Sequence, residues 1–474
     1  MKFLMNGPNR RKVLERGGCD TAFEQPRDTE PRIPLRKTTS IRKRCRASLA
    51  TALQDASAQP TIPQSKNPLI QLFINPSIHW LLVLLTFLPF TALAQTGLND
   101  LNVQAYGAVP DGVTDDTLAF QNAIAAAESG TNSGIYVPMG KYVLSSSLTF
   151  SNLEMIGKFA GGWPADNMPM PTLLIHQLTA PGVILQNGAS IHGVAVDYDQ
   201  GSPTTTNAPA ISLQGEGITL GSVRIQTPYD GITTPVAASP NRARLSDIYI
   251  VQPVHIGVQI SRCSDFVQMN HIEVWCDTAF STGPGFDFGS IAGGTFNGLL
   301  GYQCTPGIEI YTDTSTTNGT FTGDFVNCCM DAATTGISIN GNHQVKITAG
   351  DWDCEFWGAT INGTNAQVSI VGGKWHANSQ EAVMVYQSQN VLIDSCMFYR
   401  STPYGAGWTN NPLVWISNAT SATVNGCQFL PGSTGLELDN QVQNAVVVGN
   451  SFQAGGITNN MTSTNYVIAN NLLP

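Results

Sequence analysis

Short stretches in which apolar and polar residues alternate recur along the chain, separated by breaks rich in Gly and Asn. Such alternation predicts β-strands, and the breaks predict turns. Three stretches with one shared pattern begin 23 residues apart: VKITAGDW (345–352), VSIVGGKW (368–375) and VLIDSCMF (391–398). A related stretch, ATVNGCQF (422–429), begins 31 residues after the third. Self-similarity at a period of this length is typical of a solenoid.

Three short strands per coil, with neighbouring strands about 4.8 Å apart, make a right-handed parallel β-helix. We therefore predict an all-β solenoid. Equivalent residues of successive coils lie above one another, so Trp352, Trp375 and Phe398 are expected to form a buried aromatic ladder. Cys396 and Cys427 fall at one aligned position, within disulfide reach if their side chains converge. A leucine-rich or propeller array is the alternative, but neither the Leu frames nor the Trp-Asp dipeptides of those folds recur along the chain.

One segment, AYGAVPDGVTDDTLAFQNAIAAA (105–127), departs from the strand pattern. Its apolar residues have helical spacing, which predicts one amphipathic α-helix with the face Ala119, Phe120, Ala123, Ile124 and Ala127. Thr114 is the expected N-cap, with Asp115 and Asp116 in the first turn. Gly130 is expected to end the helix. The first coil of a solenoid exposes an apolar cross-section and unpaired strand edges, so we expect the helix to cap it.

The N-terminal segments NVQAYGAVPDGVTDDTLAFQNAI (102–124), IYVPMGKYVLSSSLTF (135–150) and LEMIGKFAGG (153–162) resemble a family signature. They are similar to the pectate lyase superfamily of β-helix proteins, and most similar to its branch of rhamnogalacturonases, epimerases and tailspike-like domains. The resemblance implies a polysaccharide bound along a lateral groove. It carries over no catalytic residue. The Asn-Thr-Asp, Asp-Asp, Gly-His-Gly and Arg-Ile-Lys segments of family polygalacturonases do not occur here in order, and the Asp-Pro-His of alginate epimerases is absent.

The charge of the chain is divided between two unlike parts. Residues 1–66 hold 14 Lys and Arg against 6 Asp and Glu, whereas residues 95–474 hold 9 against 27, a net charge of about −18. An acidic body of this kind argues against a nucleic-acid partner. Eight of the ten cysteines lie in the body, where disulfides and buried thiols are both open, and none has zinc-like spacing.

The apolar segment SIHWLLVLLTFLPFTALAQ (77–95) ends in the small-x-small pattern Ala92-Leu93-Ala94. We predict a signal peptide at 78–94, preceded at 1–77 by a disordered leader or by a translation start that lies further downstream. A membrane anchor with a cytoplasmic basic tail is the alternative. Residues 95–474 are expected to form a single β-helix domain that is secreted, periplasmic or extracellular.

Alignment of the predicted ladder defines the candidate site. The position before it reads Asp324, Asp351, Lys374 and Met397, and the position after it reads Val326, Asp353, His376 and Tyr399. Because strand alternation turns these flanking side chains outward, one exposed patch is expected to hold five catalytic candidates, here called the charged face: Asp351, Asp353, Lys374, His376 and Tyr399. Predicted substrate-binding residues are Glu355, Asn378, Arg400 and Trp357. Asp287 and Asp313 are further carboxylates near turns.

These residues suit more than one sugar chemistry. Two carboxylates support glycoside hydrolysis, whereas β-elimination from a uronate needs a base, such as Lys374, His376 or Tyr399, and a cation or hydrogen-bond donor to neutralise the uronate carboxylate. No cofactor is required by either scheme, although an acidic cluster is able to hold Ca²⁺. The function expected is an exported polysaccharide-active lyase, hydrolase or epimerase. A non-catalytic carbohydrate-binding, adhesin-like or tailspike-like protein, with a homotrimer among its forms, is the alternative.

Overall fold

The computed structural model describes residues 100–130, 134–159, 163–165, 168–198, 208–277, 281–315, 319–400, 411–430, 434–453 and 455–474. The predicted leader (1–77) and signal peptide (78–94) lie outside these residues. Within them, no helix is long and apolar enough to cross a membrane. The described chain is an all-β solenoid of about 13 turns, which confirms the predicted fold class.

Near its start the described chain contains a short 3₁₀-helix, η1 (Val103–Tyr106), and one α-helix, α1 (Thr117–Ser129). The N-terminal strands are β1 (Leu101–Asn102), β2 (Asp111–Asp115), β3 (Gly134–Val137), β4 (Lys141–Leu144), β5 (Leu148–Phe150), β6 (Glu154–Gly157), β7 (Thr172–Ile175), β8 (Val183–Leu185), β9 (Ser190–His192), β10 (Ala195–Asp197), β11 (Ile211–Leu213), β12 (Thr219–Gln226), β13 (Asp230–Thr233), β14 (Arg244–Val251), β15 (Ile256–Ile260), β16 (Cys263–Trp275), β17 (Phe286–Phe288) and β18 (Ile291–Tyr302).

The C-terminal strands are β19 (Ile308–Tyr311), β20 (Thr322–Val326), β21 (Cys329–Asn340), β22 (Gln344–Thr348), β23 (Asp351–Asn362), β24 (Gln367–Val371), β25 (Lys374–Ala377), β26 (Val383–Asp394), β27 (Met397–Tyr399), β28 (Pro412–Ile416), β29 (Ala419–Asn425), β30 (Gln428–Phe429), β31 (Thr434–Leu438), β32 (Ala445–Val448), β33 (Ser451–Phe452), β34 (Ile457–Asn459) and β35 (Tyr466–Ala469). Each strand from β1 to β32 pairs in parallel with the equivalent strand two or three places further along the chain.

The strands align in three columns, which we call the first, second and third faces. The first face includes β20, β22 and β24, and the second includes the start of β23 followed by β25, β27 and β30. The third face runs through β13, β15, β17 and β19 and then through the end of β21, the end of β23, the start of β26, β28, β31 and β34. Apolar side chains of all three faces point into one continuous core.

The corner between the first and second faces is turned by left-handed backbone. Ser222, Asp247, His271 and Asn327 have φ values of 49°, 53°, 54° and 51°, and Gly426 occupies the equivalent corner of a later coil with φ 61°. Gly and Asn adopt this conformation most readily, which explains why such residues punctuate the strand pattern. In β12, β14 and β16 a single residue therefore redirects the chain within one continuous strand, whereas Asn327 and Gly426 each begin a link of two residues between separate strands.

The predicted aromatic ladder is confirmed. Trp352, Trp375 and Phe398 are Cα partners on successive coils of the second face, and all three are 0% exposed. The indole rings of the two tryptophans stack with centroids 4.8 Å apart and planes 4° apart. Phe429 and Phe452 extend the ladder, with ring centroids 5.1 Å and 4.4 Å from the preceding ring. The 31-residue interval between Phe398 and Phe429 leaves the register intact.

On the N-terminal side, the register predicted through Phe325 is wrong. Phe325 pairs with Ile347 on the first face, whereas Met330 is the Cα partner of Trp352. Asp324 and Val326 therefore lie on the first face, away from the ladder. The positions that flank the ladder in this coil are Cys329 and Asp331, which pair with Asp351 and Asp353.

Helix α1 packs its predicted apolar face against the first coil. Phe120 is 0% exposed, and its ring meets that of Tyr142 edge-on at 5.5 Å. Gly130 is the C-cap, as predicted, but the N-cap is Asp116 and not Thr114. The reason is that the segment around Thr114 forms β2 and pairs with β4. The carboxylate of Asp115 instead accepts the backbone N–H of Thr117 at 3.0 Å, at the first residue of the helix.

Two cysteine pairs lie in neighbouring coils of the core. Cys396 lies opposite Cys427, as the alignment predicted, because the N–H of the residue after Cys427 donates to the carbonyl of Cys396 at 2.8 Å. Cys276 and Cys304 are both buried, with Sγ atoms 2.7 Å apart. All eight cysteines of the described chain carry free thiols in this structure.

Trp375→Ala is expected to lower the free energy of unfolding by about 3–5 kcal/mol, because the ring is fully buried between two aromatic neighbours and its removal leaves a cavity. Equilibrium unfolding in urea measures this. Trp275→Ala is the matched control, since Trp275 is 41% exposed. Equal losses in the two variants would contradict the role of the ladder.

Candidate functional site

The five catalytic candidates of the charged face lie together on the second face, but His376 is only 5% exposed, so the prediction that all five are exposed is wrong for this residue. Asp351 and Lys374 are Cα partners, with Nζ 3.7 Å from Oδ2, and both side chains are about half exposed. Asp353 and His376 are the next pair, and the carboxylate of Asp353 is hydrogen-bonded to Nδ1 of His376. The ring of His376 stacks on that of Tyr399 at 4.6 Å.

Asp331 belongs to the same face and was missed from the sequence. It is the Cα partner of Asp353, and its pKa is raised by partial burial and then by the charges of Asp353 and Asp351. The sequence contains a signal that identifies Asp331: if Met330 is aligned with the tryptophans of the ladder, Asp331 falls beside Asp353. The aromatic pair Trp275 and Tyr302, with ring centroids 4.5 Å apart, continues this column.

The pKa of Tyr399 is raised by burial and by Asp351 and Asp353. A higher pKa favours the protonated phenol, so Tyr399 is better suited to donate a proton than to act as a base. This argues against its predicted role in β-elimination.

The predicted substrate-binding residues are separated in space. Glu355 is exposed beside the charged face, and the backbone N–H of Asn378 donates to the carbonyl of Cys354 at 3.1 Å. Arg400 donates from Nη2 to the carbonyls of Gln380 at 2.6 Å and of Asn411 at 3.4 Å, so it ties two segments of backbone together. Trp357 lies at the border of the third face and lines a separate pocket there.

A second concentration of functional groups lies at the N-terminal end of the third face. An open cleft of about 370 Å³, here called the third-face cleft, is lined by Asp230, His255, Gln259 and Arg262 among others. Buried polar side chains line it or contact its lining residues, each at most 7% exposed: Ser212, Asp230, Thr233, Thr234, Ser261, Asp287 and Asp313. Burying polar groups costs free energy unless they are hydrogen-bonded, so such a concentration indicates a functional site.

Asp230 and His255 form a hydrogen-bonded pair at the wall of the cleft. Nδ1 of His255 lies 2.9 Å from Oδ1 of Asp230, which also accepts the backbone N–H of Ile256 at 3.1 Å. The hydrogen bond to Asp230 raises the pKa of His255, and the charges of Asp230 and Asp287 add to the effect. The imidazolium form is thereby favoured.

Asp287 and Glu309 are Cα partners on adjacent coils, directly beyond Gln259. Burial raises the pKa of Asp287 to about 7, and Glu309 and Asp230 contribute further. The pKa of Glu309 is also raised by burial. Nε2 of Gln259 donates to Oδ2 of Asp287 at 2.7 Å. A carboxyl group that keeps its proton near neutral pH beside a second carboxyl group is the arrangement that acid–base chemistry needs.

Arg262, the arginine that lines the cleft, is engaged by another carboxylate. Nε of Arg262 lies 3.4 Å from Oδ2 of Asp313, which also accepts the hydroxyl of Ser261. The cleft therefore presents predominantly neutral and acidic groups. Asp287 and Asp313 were noted from the sequence only as carboxylates near turns. Their partners depend on which residues align between coils, and turns of unequal length hide that alignment in the sequence.

Comparison with known proteins supports the fold and the predicted resemblance. The family model for rhamnogalacturonase A/epimerase, pectate lyase-like, matches residues 101–166. Plasmin and fibronectin-binding protein A of Streptococcus pneumoniae is 28% identical over 162 residues, 30% of this chain and 22% of that protein. Mannuronan C5-epimerase AlgE2 of Azotobacter vinelandii is 37% identical over 83 residues, 14% of this chain and 8% of that protein. The chain thus spans less than a quarter of the length of these relatives.

Two solved structures show the same fold. The A-module of mannuronan C-5 epimerase AlgE6 of Azotobacter vinelandii has a TM-score of 0.51 and 16% identity, covering 79% of this chain and 100% of that one. The tailspike protein of E. coli bacteriophage HK620, solved in complex with a pentasaccharide, has a TM-score of 0.52 and 9% identity, covering 78% and 80%. At these identities the likeness concerns the fold alone.

Asp287→Asn is expected to remove part of the pH dependence of stability. Because the pKa of Asp287 is raised from 3.8 to about 7 on folding, its contribution to stability is complete below about pH 4 and is lost as pH rises through about 7. A difference of about three in pKa corresponds to about 4 kcal/mol, so the variant should gain up to that amount over wild type across this range.

Urea unfolding at several pH values measures the effect. Asp324→Asn is the matched control, since Asp324 is an exposed carboxylate on the first face. Wild-type and Asp287→Asn curves that stay parallel from acid to neutral pH would contradict the assignment.

Proposed function

We propose that this protein is an exported enzyme that hydrolyses an uncharged polysaccharide at Asp287 and Glu309, beside the third-face cleft. The observation that carries the proposal is the register pair of Asp287 and Glu309, two carboxyl groups on adjacent coils whose pKa values are both raised. The names of the similar proteins, a mannuronan epimerase and a tailspike in complex with a pentasaccharide, support a glycan as the ligand class. The predicted signal peptide supports export.

Asp287 is suited to protonate the leaving oxygen of the glycosidic bond, because it retains its proton near neutral pH. The Glu309 carboxylate then attacks the anomeric carbon as the bond to the leaving oxygen breaks. Water hydrolyses the resulting glycosyl ester, and the Asp287 carboxylate takes the proton of that water. One water is consumed per bond cleaved, and both carboxyl groups return to their starting states.

Strand spacing favours this covalent route. Adjacent coils are about 4.8 Å apart, close to the carboxyl separation of about 5–5.5 Å that is typical of retaining glycosidases. Inverting enzymes hold their carboxyl groups further apart, to admit a water molecule between carboxylate and sugar. We therefore propose retention of configuration at the anomeric carbon.

The pair of Asp230 and His255 has a positioning role in the proposal. Asp230 holds Nδ1 of His255, which leaves the Nε2 side of the ring directed away from Asp230. Protonated His255 lines the cleft and is able to donate a hydrogen bond to a sugar hydroxyl. Its positive charge also stabilises the carboxylate that Asp287 becomes after proton transfer.

Charge favours hydrolysis over elimination or epimerisation. Both alternatives act on a uronate, whose carboxylate a cation must neutralise. In the cleft, Arg262 is paired with Asp313 and protonated His255 is paired with Asp230. On the charged face, Lys374 is paired with Asp351. A body with 27 acidic and 9 basic residues also repels an acidic polymer. A Ca²⁺ requirement and a homotrimer remain expectations.

The full-length chain, expressed and purified with whatever processing it undergoes, is to be incubated with neutral and uronic polysaccharides, with Ca²⁺ or with a chelator. New reducing ends without the absorbance of unsaturated uronates are expected from a neutral substrate. Asp287→Asn should lower kcat/KM at least about 100-fold, because a general acid contributes on that order. Asp324→Asn, an exposed carboxylate of the first face, should leave kcat/KM unchanged.

The charged face is the competing centre and is tested in the same assay. If Asp353→Asn and His376→Ala abolish hydrolysis while Asp287→Asn does not, the chemistry belongs to the charged face. Unsaturated products would establish elimination in place of hydrolysis. Retention on a polysaccharide column without any new reducing ends would establish a non-catalytic binder.

The value of kcat/KM is expected to fall as pH rises above about 7, because Asp287 must be protonated to donate its proton to the leaving oxygen. Nuclear magnetic resonance of the first product should show the anomeric configuration of the substrate bond. A rate that is level through neutral pH, or an inverted product, would contradict the assigned roles.

A further inference from the structure

A second pocket on the third face lies several coils beyond the cleft. This aromatic pocket has a volume of about 400 Å³ and is lined by Trp357, Gln380, Glu381, Tyr386, Asn411 and Trp415, among others. Rings of Tyr386 and Trp415 meet edge-on with centroids 5.6 Å apart. Tyr386 is 48% exposed, so its ring is accessible to a ligand that enters the pocket.

The pocket is held in shape by hydrogen bonds. Nε1 of Trp357 donates to Oε2 of Glu381 at 3.1 Å, and Glu381 is only 9% exposed. Nδ2 of Asn411 donates to Oε1 of Gln380 at 2.8 Å. Aromatic faces combined with fixed amide and carboxylate groups form a surface that matches a sugar ring, with apolar C–H faces and hydroxyl edges.

The pocket and the cleft lie on one line. In Cα register, the outward column of the third face runs from Asp287 through Glu309, Ser338, Thr360 and Met384 to Trp415. Five steps of about 4.8 Å separate Asp287 from Trp415, about 24 Å. Ser338 and Thr360, between the two sites, are small hydroxyl residues that leave the path clear and offer hydrogen bonds.

We propose that the aromatic pocket is a distal subsite for the glycan chain cleaved at Asp287 and Glu309, and that it takes an uncharged sugar unit and rejects uronates. The inference rests on the proposed function only in so far as the glycan is cleaved at Asp287 and Glu309. Binding of a sugar unit in the aromatic pocket does not depend on that reaction. Glu381 and Glu437 both line the pocket and disfavour a carboxylated sugar. The adjacent cation, Arg400, donates to the carbonyls of Gln380 and Asn411.

The test compares a neutral polymer with a trisaccharide of the same sugar, too short to reach from cleft to pocket. In the wild-type protein the polymer should have the lower KM. Tyr386→Ala and Trp415→Ala should each reduce this advantage about tenfold, the factor that corresponds to 1.4 kcal/mol of ring contact. Tyr386→Phe should restore it, because the ring is kept. Tyr466→Ala is the control, since Tyr466 is 45% exposed on the last strand of the first face.

Binding is measured separately from hydrolysis, by calorimetry on the Asp287→Asn protein. The proposed hydrolysis and the proposed subsite can therefore be contradicted independently of each other. An unchanged polymer advantage in both variants would overturn the subsite while hydrolysis stands. Loss of polymer binding in Tyr386→Ala, with no hydrolysis of any glycan by wild type, would overturn the proposed function and keep the subsite. Tighter binding of a polyuronate than of a neutral polymer would overturn the substrate class.

Discussion

Stacking of equivalent residues between coils is the constraint on which the rest of the structure depends. Trp352, Trp375 and Phe398 each lie against the corresponding side chain of the next coil, and the indole planes of the first two are almost parallel. Because side chains alternate along a strand, an inward ladder determines which neighbours point outward. A slip of one residue would turn Asp353 and His376 into the core. The same inward packing holds Asp287 beside Glu309 on another face.

The fold could be predicted because its signal is repeated. Aromatic residues at a constant interval identified the ladder, and the apolar face of the capping helix was readable from its spacing. Where the pattern has no repeat, prediction failed for identifiable reasons. Phe325 is aromatic but belongs to the first face, and the flexible side chain of Met330 fills the ladder position in its place. Thr114 has the chemistry of an N-cap, but pairing of β2 with β4 holds it in a strand.

The two candidate sites differ in how far the sequence reveals them. The charged face is adjacent to the ladder, so register alone brought Asp353 and His376 together. The cluster beside the third-face cleft combines residues 28 and 22 positions apart, Gln259 with Asp287 and Asp287 with Glu309. Unequal turns hide that alignment, and the burial that alters the pKa of Asp287 depends on packing from several coils. The raised pKa of Asp287 therefore depends on the tertiary structure and cannot be read from the sequence.

Length variation is unevenly distributed around the coil. From β9 onward, one or two residues link the first face to the second. The links on either side of the third face vary from none, within the continuous strands β21 and β23, to 13 residues between β10 and β11. The borders of the third face are thus the places where extra chain is accommodated without disturbing the core. Engineering of a new ligand specificity on this scaffold would therefore insert new segments at those two borders and leave the core of the solenoid unchanged.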